Sequence, residues 1–251
     1  MAGMDNPDVD VLRRINRIAD SLPDWSYGGV RLMGEFGFPL LLGLLVVLAW
    51  WSVRRRPDAP QAVAAVAWAP LAAVLAYLAN SPIREFVARP RPFLDHDLHV
   101  MLDGKTGYSF VSDHATGAMV LAVALFLVHR RIGAIALVLA LGQGFARVLM
   151  GLHYPTDVIG GYALGTAVVL LLSPAALAVL TPLARVCSRT RGLGWLVCPR
   201  EEPAGPGPSG DGPGSSRGHG QEERADEPPA GPVPPGTGRH RARAKARDYA
   251  A

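Results

Sequence analysis

Apolar residues fall into about five long runs, at 36–53, 62–79, 111–128, 132–150 and 158–180. Each is close to the roughly 20 residues a helix needs to cross a bilayer, and short polar breaks separate them. The N-terminal segment differs. Val11, Leu12, Ile15, Ile18 and Leu22 recur at helical spacing with Arg13, Arg14 and Arg17 between them, which predicts an amphipathic helix lying in the membrane interface, too polar to span. Trp25, Tyr27, Trp50 and Trp51 stand where interfacial aromatics would. From Glu201 onward the chain has no Leu, Ile, Phe, Met or Trp and is dominated by Pro, Gly, Ser and charge, so it cannot bury enough apolar area to offset ordering entropy. The pattern predicts an all-α, polytopic transmembrane helix bundle of about five spans plus an N-terminal interfacial amphipathic helix. Its expected divisions are 1–30 for the amphipathic segment, 31–185 for the membrane core and 186–251 for a cytoplasmic, Pro/Gly-rich disordered tail.

Composition agrees with that reading. With 49% hydrophobic and 18% charged residues and a mean hydropathy of +0.20, the chain reads as a small integral membrane protein diluted by a polar segment. The net charge of +4 owes much to Arg in the loops flanking the spans and in the tail, which speaks for membrane topology and against a nucleic-acid partner. The run "RHRARAKAR" at 239–247 is a solvated charge cluster or a contact for anionic headgroups. Cys187 and Cys198 have no metal-binding pattern, and a disulfide is not expected if they face the cytosol. The first thirty residues carry Asp and Arg throughout and lack the apolar core of a cleavable signal, so insertion is expected to rely on the internal segments.

Consecutive spans alternate direction. The end of the second, the start of the third, the end of the fourth and the start of the fifth therefore lie at one membrane face. The other connections read "RRRP" from Arg54, "HRR" from His129, and Arg185, Arg189 and Arg191 after the last span, so the positive-inside rule makes them cytoplasmic. The first face also holds Arg84, Arg89, Arg91 and Lys105, a conflict that disappears if some of these cations bind a ligand.

That outer face gathers chemistry. "SPIREFVARPRP" supplies Arg84 and Arg91, "VSDHATG" supplies Ser112, Asp113 and His114, and "ARVLMGLHYPTD" supplies Arg147, His153 and Asp157. Guanidinium forks match phosphate oxygens, and the start of a helix adds a positive dipole end, so the cluster is read as a phosphate site. Within it His153 is the better nucleophile candidate, with Asp157 placed to accept the other ring N–H, and His114 is a candidate proton carrier. Taken singly, Ser112 to His114 are equally a helix cap, Arg147 a snorkelling arginine and Asp157 a cap after Pro155. Arg89 and Lys105 read as loop cations, and His96 and His99 lack a completing metal-ligand pattern. Gly142, Gly144, Gly160, Gly161 and Gly165 read as close helix-packing positions.

At these residues the chain resembles the type-2 phosphatidic acid phosphatase superfamily, whose three signatures are Lys-x6-Arg-Pro, Pro-Ser-Gly-His and Ser-Arg-x5-His-x3-Asp. Here they stand as Arg84-x6-Arg91-Pro92, Val111-Ser112-Asp113-His114 and Ala146-Arg147-x5-His153-x3-Asp157. The resemblance covers residues 78–165 closely. It implies hydrolysis of a lipid phosphate through a phosphohistidine, without metal or other cofactor. His153 would attack, Asp157 would orient it and His114 would protonate the leaving group, while Arg84, Arg91, Ser112, Asp113 through its backbone N–H, and Arg147 would hold the phosphoryl.

Several positions depart from the signatures: Arg84 replaces Lys, Ala146 lacks a hydroxyl, Val111 replaces Pro and Asp113 replaces Gly. The negative charge of Asp113 would repel phosphate unless Arg or a proton compensates it. Ser-Asp-His resembles the bacitracin-resistance-type branch, which implies an undecaprenyl-type diphosphate substrate outside the cytoplasmic membrane and a role in recycling the lipid carrier for cell-wall synthesis. Phosphatidic acid or phosphatidylglycerol phosphate is the alternative substrate. A non-enzymatic transporter or an inactive family member is the alternative of another class.

Overall fold

The structure, a computed structural model, describes residues 6–102, 106–190 and 192–198. These form helices α1 (Pro7–Asp20), α2 (Asp24–Leu32), a π-turn (Met33–Gly37), α3 (Phe38–Val53), α4 (Ala59–Val87), α5 (Pro92–Asp95), α6 (Asp113–Val128), α7 (Arg130–Leu149), α8 (Pro155–Arg189) and α9 (Gly194–Val197), with no strand among the described residues. Four segments are long and apolar enough to cross a membrane: Asp24–Val53, Ala59–Asp95, Arg130–Leu149 and Pro155–Arg189. The predicted third span is α6, shorter at 16 residues. It is the central helix, packed against α3, α4, α7 and α8. Most of its side chains from Ala115 to Leu125 are buried by protein. Leu40 and Leu44 on α3, Leu71 and Val74 on α4, Val138 on α7 and Leu171 on α8 are exposed, as a lipid-facing exterior requires.

Helix ends follow local chemistry. α4 runs two turns past the predicted end at residue 79, because Pro82 lies inside the helix without ending it. It stops at Val87, where Ala88 adopts the left-handed conformation (φ 47°), followed by Arg89-Pro90, a pair that disfavours helix. α8 starts at Pro155, a residue suited to the first turn, and continues through Pro174 and Pro182 to Arg189. The predicted start of the tail at residue 186 therefore falls inside a helix. Beyond it α9 packs back on the bundle: Val197 is buried, and the Trp50 indole N–H donates to the Leu196 carbonyl at 2.8 Å. Cys187 and Cys198 are both free and pack on the same apolar cluster. The rest of the predicted tail, like Lys105 and Arg191, lies outside the described residues.

One face of the N-terminal helix is buried on protein. Val9 and Leu12 pack among Ala115, Val148, Tyr154 and Val158, whereas Val11 and Ile18 of the predicted stripe are exposed. Asn16 pins it at the bundle end: Nδ2 donates to the carbonyls of His99 and Leu149, both at 2.9 Å, and Oδ1 accepts from the His99 N–H at 2.8 Å. The Leu149 carbonyl is one of the acceptors a helix C-terminus leaves open, so one amide closes the end of α7 and clips the 96–102 loop to it.

Small residues let α6 and α8 approach. A Cβ at Gly161 would lie 2.9 Å from the Ser112 carbonyl oxygen, and one at Gly165 would lie 2.6 Å from that of Thr116. Backbone cannot yield as a flexible side chain can, so a larger residue must separate the helices. Gly165→Val is expected to lower the thermal unfolding midpoint in detergent, with a stability cost of about 1–3 kcal/mol. An unchanged midpoint would contradict this packing.

Candidate active site

The four helix ends predicted to share a face do meet. The Ser112 N–H donates to the Asp157 carbonyl at 3.1 Å, joining the start of α6 to the start of α8. Asn80 on α4 donates through Nδ2 to the Val111 carbonyl (3.1 Å) and to Asp113 Oδ1 (2.7 Å). Arg84, one turn further along α4, forms an ion pair with Asp113. The carboxylate that replaces Gly in the second motif is thus compensated by the arginine that replaces Lys in the first.

Ser112 occupies the N-cap position of α6, yet its hydroxyl makes no capping bond. Its Oγ is fully buried and has no hydrogen-bond partner, and the same holds for Nε of Arg84 and Nε of Arg147. A buried hydroxyl left unpaired costs free energy comparable to a lost hydrogen bond, so the cap reading does not account for Ser112. Asp157 behaves in the opposite way. Its Oδ2 accepts the Tyr154 N–H at 2.8 Å, closing the first turn of α8, so the cap reading holds for this residue.

His153 is 4% exposed. Its Nδ1 lies 2.9 Å from the Ser109 carbonyl oxygen. A carbonyl only accepts, so Nδ1 carries the proton and Nε2 the lone pair. Asp157 Oδ2 is further from Nδ1, at 3.8 Å. The carboxylate expected to orient the ring is engaged by the Tyr154 N–H and by Arg89 Nη1, at 2.9 Å from Oδ1, and the backbone of Ser109 takes the orienting position. Burial, reinforced by the charges of Arg147 and Arg91 and opposed by Asp157, pushes the His153 pKa below the ordinary histidine value.

Arg91 faces Nε2 of that ring, with Nη1 at 3.5 Å. Its guanidinium is oriented by three carbonyls: Gly107 on Nε (3.2 Å), Leu152 on Nη1 (3.2 Å) and Thr106 on Nη2 (3.4 Å). Arg147, 2% exposed, donates through Nη1 to Glu35 Oε1 at 2.5 Å. The other oxygen of Glu35 lies 3.8 Å from His114 Nε2. Arginine, histidine and acid from the π-turn, α6 and α7 therefore form one cluster.

Sequence reasoning missed four members of this arrangement. Glu35 was legible as an acid at the edge of the first apolar run, a position where charge signals function or a partner. Asn80 was a polar residue beyond the predicted end of the second. Arg89, read as a loop cation, instead bonds Asp157, Asp8 Oδ2 (2.7 Å) and Thr156 (2.7 Å) and lies 3.7 Å over the Tyr154 ring. Ser109 acts through its carbonyl, which leaves no side-chain signal. His96 stacks edge-on with Tyr154, and His99 lies against Tyr27 and Asp20. Among the described residues no group of three His, Cys, Asp or Glu is arranged to hold a metal.

The chain is similar to several known proteins. The PAP2 superfamily model matches residues 65–180. Undecaprenyl-diphosphatase BcrC of Bacillus subtilis is 32% identical over 46% of this chain and 58% of its own. Phosphatidylglycerophosphatase B of the same organism is 33% identical over 35% of this chain and 46% of its own. The chain thus spans about half the length of these curated relatives. The crystal structure of Aquifex aeolicus LpxE shares the fold, with a TM-score of 0.51 at 20% identity over 69% of this chain and 99% of that one.

The depressed proton affinity of His153 is open to measurement. In a protein with 15N-labelled histidine, the His153 ring is expected to take its second proton below the ordinary value of about 6.5. Arg91→Gln should raise that titration point and Asp157→Asn should lower it further. Titration at or above 6.5 in the unaltered protein would refute the assignment.

Proposed function

We propose that this chain, whose residues 65–180 match the PAP2 superfamily model, is a membrane phosphatase that hydrolyses a polyprenyl diphosphate of the undecaprenyl type to the monophosphate. The observation that carries the reading is a group of buried, unpartnered donors among the motif residues, Ser112 Oγ and the Nε atoms of Arg84 and Arg147, together with His153, whose Nε2 lone pair faces Arg91. A phosphoryl group would supply the acceptor oxygens that these donors lack.

In this mechanism the Nε2 lone pair of His153 attacks the terminal phosphorus. The bond from that phosphorus to the bridging oxygen breaks, and His114 gives a proton to the departing lipid phosphate. Water then attacks the phosphohistidine, His114 takes up the proton lost by that water, and the P–N bond breaks to release inorganic phosphate and neutral His153. Arg84, Arg91 and Arg147 meet the phosphoryl charge, with Ser112 and the N–H groups opening α6 as neutral donors. The Ser109 carbonyl fixes the His153 ring, and Asp157 offsets the positive charge that ring acquires. Asp113 keeps its backbone N–H toward the phosphoryl while Arg84 neutralises its side chain.

The diphosphate is favoured by Asp113 in the second motif and by the similarity to BcrC. The similarity to a phosphatidylglycerophosphatase supports the second reading, in which phosphatidylglycerol phosphate or phosphatidate is the substrate. We place the site at the extracytoplasmic face. Its cations are matched by acids or carbonyls, whereas the other end presents Arg54, Arg55, Arg130, Arg131 and Arg185, the excess that marks a cytoplasmic face. The chain beyond α8 then leaves on the cytoplasmic side.

The test is phosphate release by the purified full-length protein in detergent with EDTA, from polyprenyl diphosphate, phosphatidylglycerol phosphate and phosphatidate. Turnover is expected to be fastest on the first and to fall to background in His153→Ala. His114→Ala should lose about 10²–10⁴-fold in kcat, the usual contribution of a proton donor. Wild-type-like turnover by His153→Ala would remove the covalent mechanism. Lipid movement across vesicles without phosphate release would favour a transporter.

A further inference from the structure

Glu35 lies inside the first membrane-crossing segment, Asp24–Val53, where a carboxylate is costly unless paired. It precedes both the matched family domain and the three motifs. The π-turn Met33–Gly37 carries it, and such turns, whose hydrogen bonds span one residue more than those of an α-helix, recur at functional sites. This turn is fastened in place. Buried Gln143 donates through Nε2 to the Gly34 carbonyl at 2.8 Å. Gln143 and Arg147 are one turn apart on α7, so a single helix face holds the turn and receives its carboxylate. That carboxylate is divided between two proposed participants in the reaction, with Oε1 on Arg147 Nη1 at 2.5 Å and Oε2 at 3.8 Å from His114 Nε2.

Resting on the phosphatase reading, we propose that Glu35 is a positioning residue for the leaving-group step: it yields Arg147 to the incoming phosphoryl and closes on His114, holding the ring to deliver its proton. The phosphoryl replaces Glu35 as a bidentate partner of Arg147, and the freed carboxylate moves onto Nε2–H of the imidazolium. The proton on Nδ1 is then the one given to the leaving oxygen as the P–O bond breaks. The neutral imidazole that remains, still held at Nε2–H by Glu35, takes a proton back from water at Nδ1 in the second half-reaction. Glu35 itself neither gains nor loses a proton. Its role parallels that of an acid orienting a catalytic histidine, but it is supplied by a different span and shared with the phosphate-binding arginine.

The experiment compares Glu35→Gln and Glu35→Asp in the full chain on two substrates. One is phosphatidate, a phosphate monoester whose alkoxide leaving group needs a proton; the other is p-nitrophenyl phosphate, whose leaving group does not. Glu35→Gln is expected to lose about 10–100-fold in kcat on the lipid, part of the usual proton-donor contribution, with KM changed by no more than about twofold. On p-nitrophenyl phosphate the loss should be under about threefold, and Glu35→Asp should recover part of the lipid activity. Equal losses on both substrates, or a fall in KM with kcat unchanged, would overturn the proposal in favour of a structural or a merely competing carboxylate. If Glu35→Gln does not fold, Gln143→Leu loosens the π-turn without altering a charge and should give the same substrate-dependent pattern at smaller amplitude; a uniform loss would overturn it. No turnover by the unaltered protein, or wild-type-like turnover by His153→Ala, would sink the phosphatase reading and this inference with it. Turnover that requires His153 but is indifferent to Glu35 would sink this inference alone.

Discussion

A guanidinium withdrawn from water must be met by an anion or by carbonyl oxygens, and this bundle buries several at one end. At an effective dielectric of about 20, unit charges 4 Å apart interact by roughly 4 kcal/mol, so unmatched cations at that density would repel strongly. Each has its answer: Asp113 for Arg84, Asp157 and Asp8 for Arg89, Glu35 for Arg147, and the carbonyls of Thr106, Gly107 and Leu152 for Arg91. The helices and loops at this end are arranged so that these partners arrive from α1, the π-turn, α6, α8 and the irregular loops.

That balance also organises the tertiary structure. Arg89 ties the start of α8 to the N-terminal helix through Asp157 and Asp8, and Thr156 donates its backbone N–H to Asp8 Oδ1 at 3.0 Å. Asn16 adds the polar link between α1 and the end of α7. α1 is therefore held on the bundle by its buried apolar residues and by ion pairs at its start. Removing one partner from such a pair leaves a charge without compensation, which costs more than the pair contributes over a neutral alternative.

The balance is incomplete in one respect, and the incompleteness is functional in the proposed reading. Ser112 Oγ and the Nε atoms of Arg84 and Arg147 are buried without partners. A preorganised site of this kind holds its donors in place before the ligand arrives, so little reorganisation accompanies the build-up of negative charge. His153 belongs to the same design, since burial and neighbouring arginines lower the proton affinity of its ring.

The sequence alone determined the membrane-helix class and the three segments that bear the site, because apolar runs of bilayer length and fixed motif spacings are local properties of the chain. Alternation of span direction was enough to put Arg84, Ser112, His114, Arg147 and His153 at one end. Tertiary structure decided the partners. Whether Ser112 capped its helix or faced the site, whether Asp157 or the Ser109 carbonyl oriented His153, and where Val9 and Leu12 of α1 were buried depended on groups far apart in sequence. Pro82, Pro174 and Pro182 did not end their helices, because packing in the bundle outweighs local propensity. Glu35 was visible as a charge at the edge of an apolar run, but a carboxylate takes its meaning from the cations that fold against it, and Arg147 and His114 lie 112 and 79 residues away along the chain.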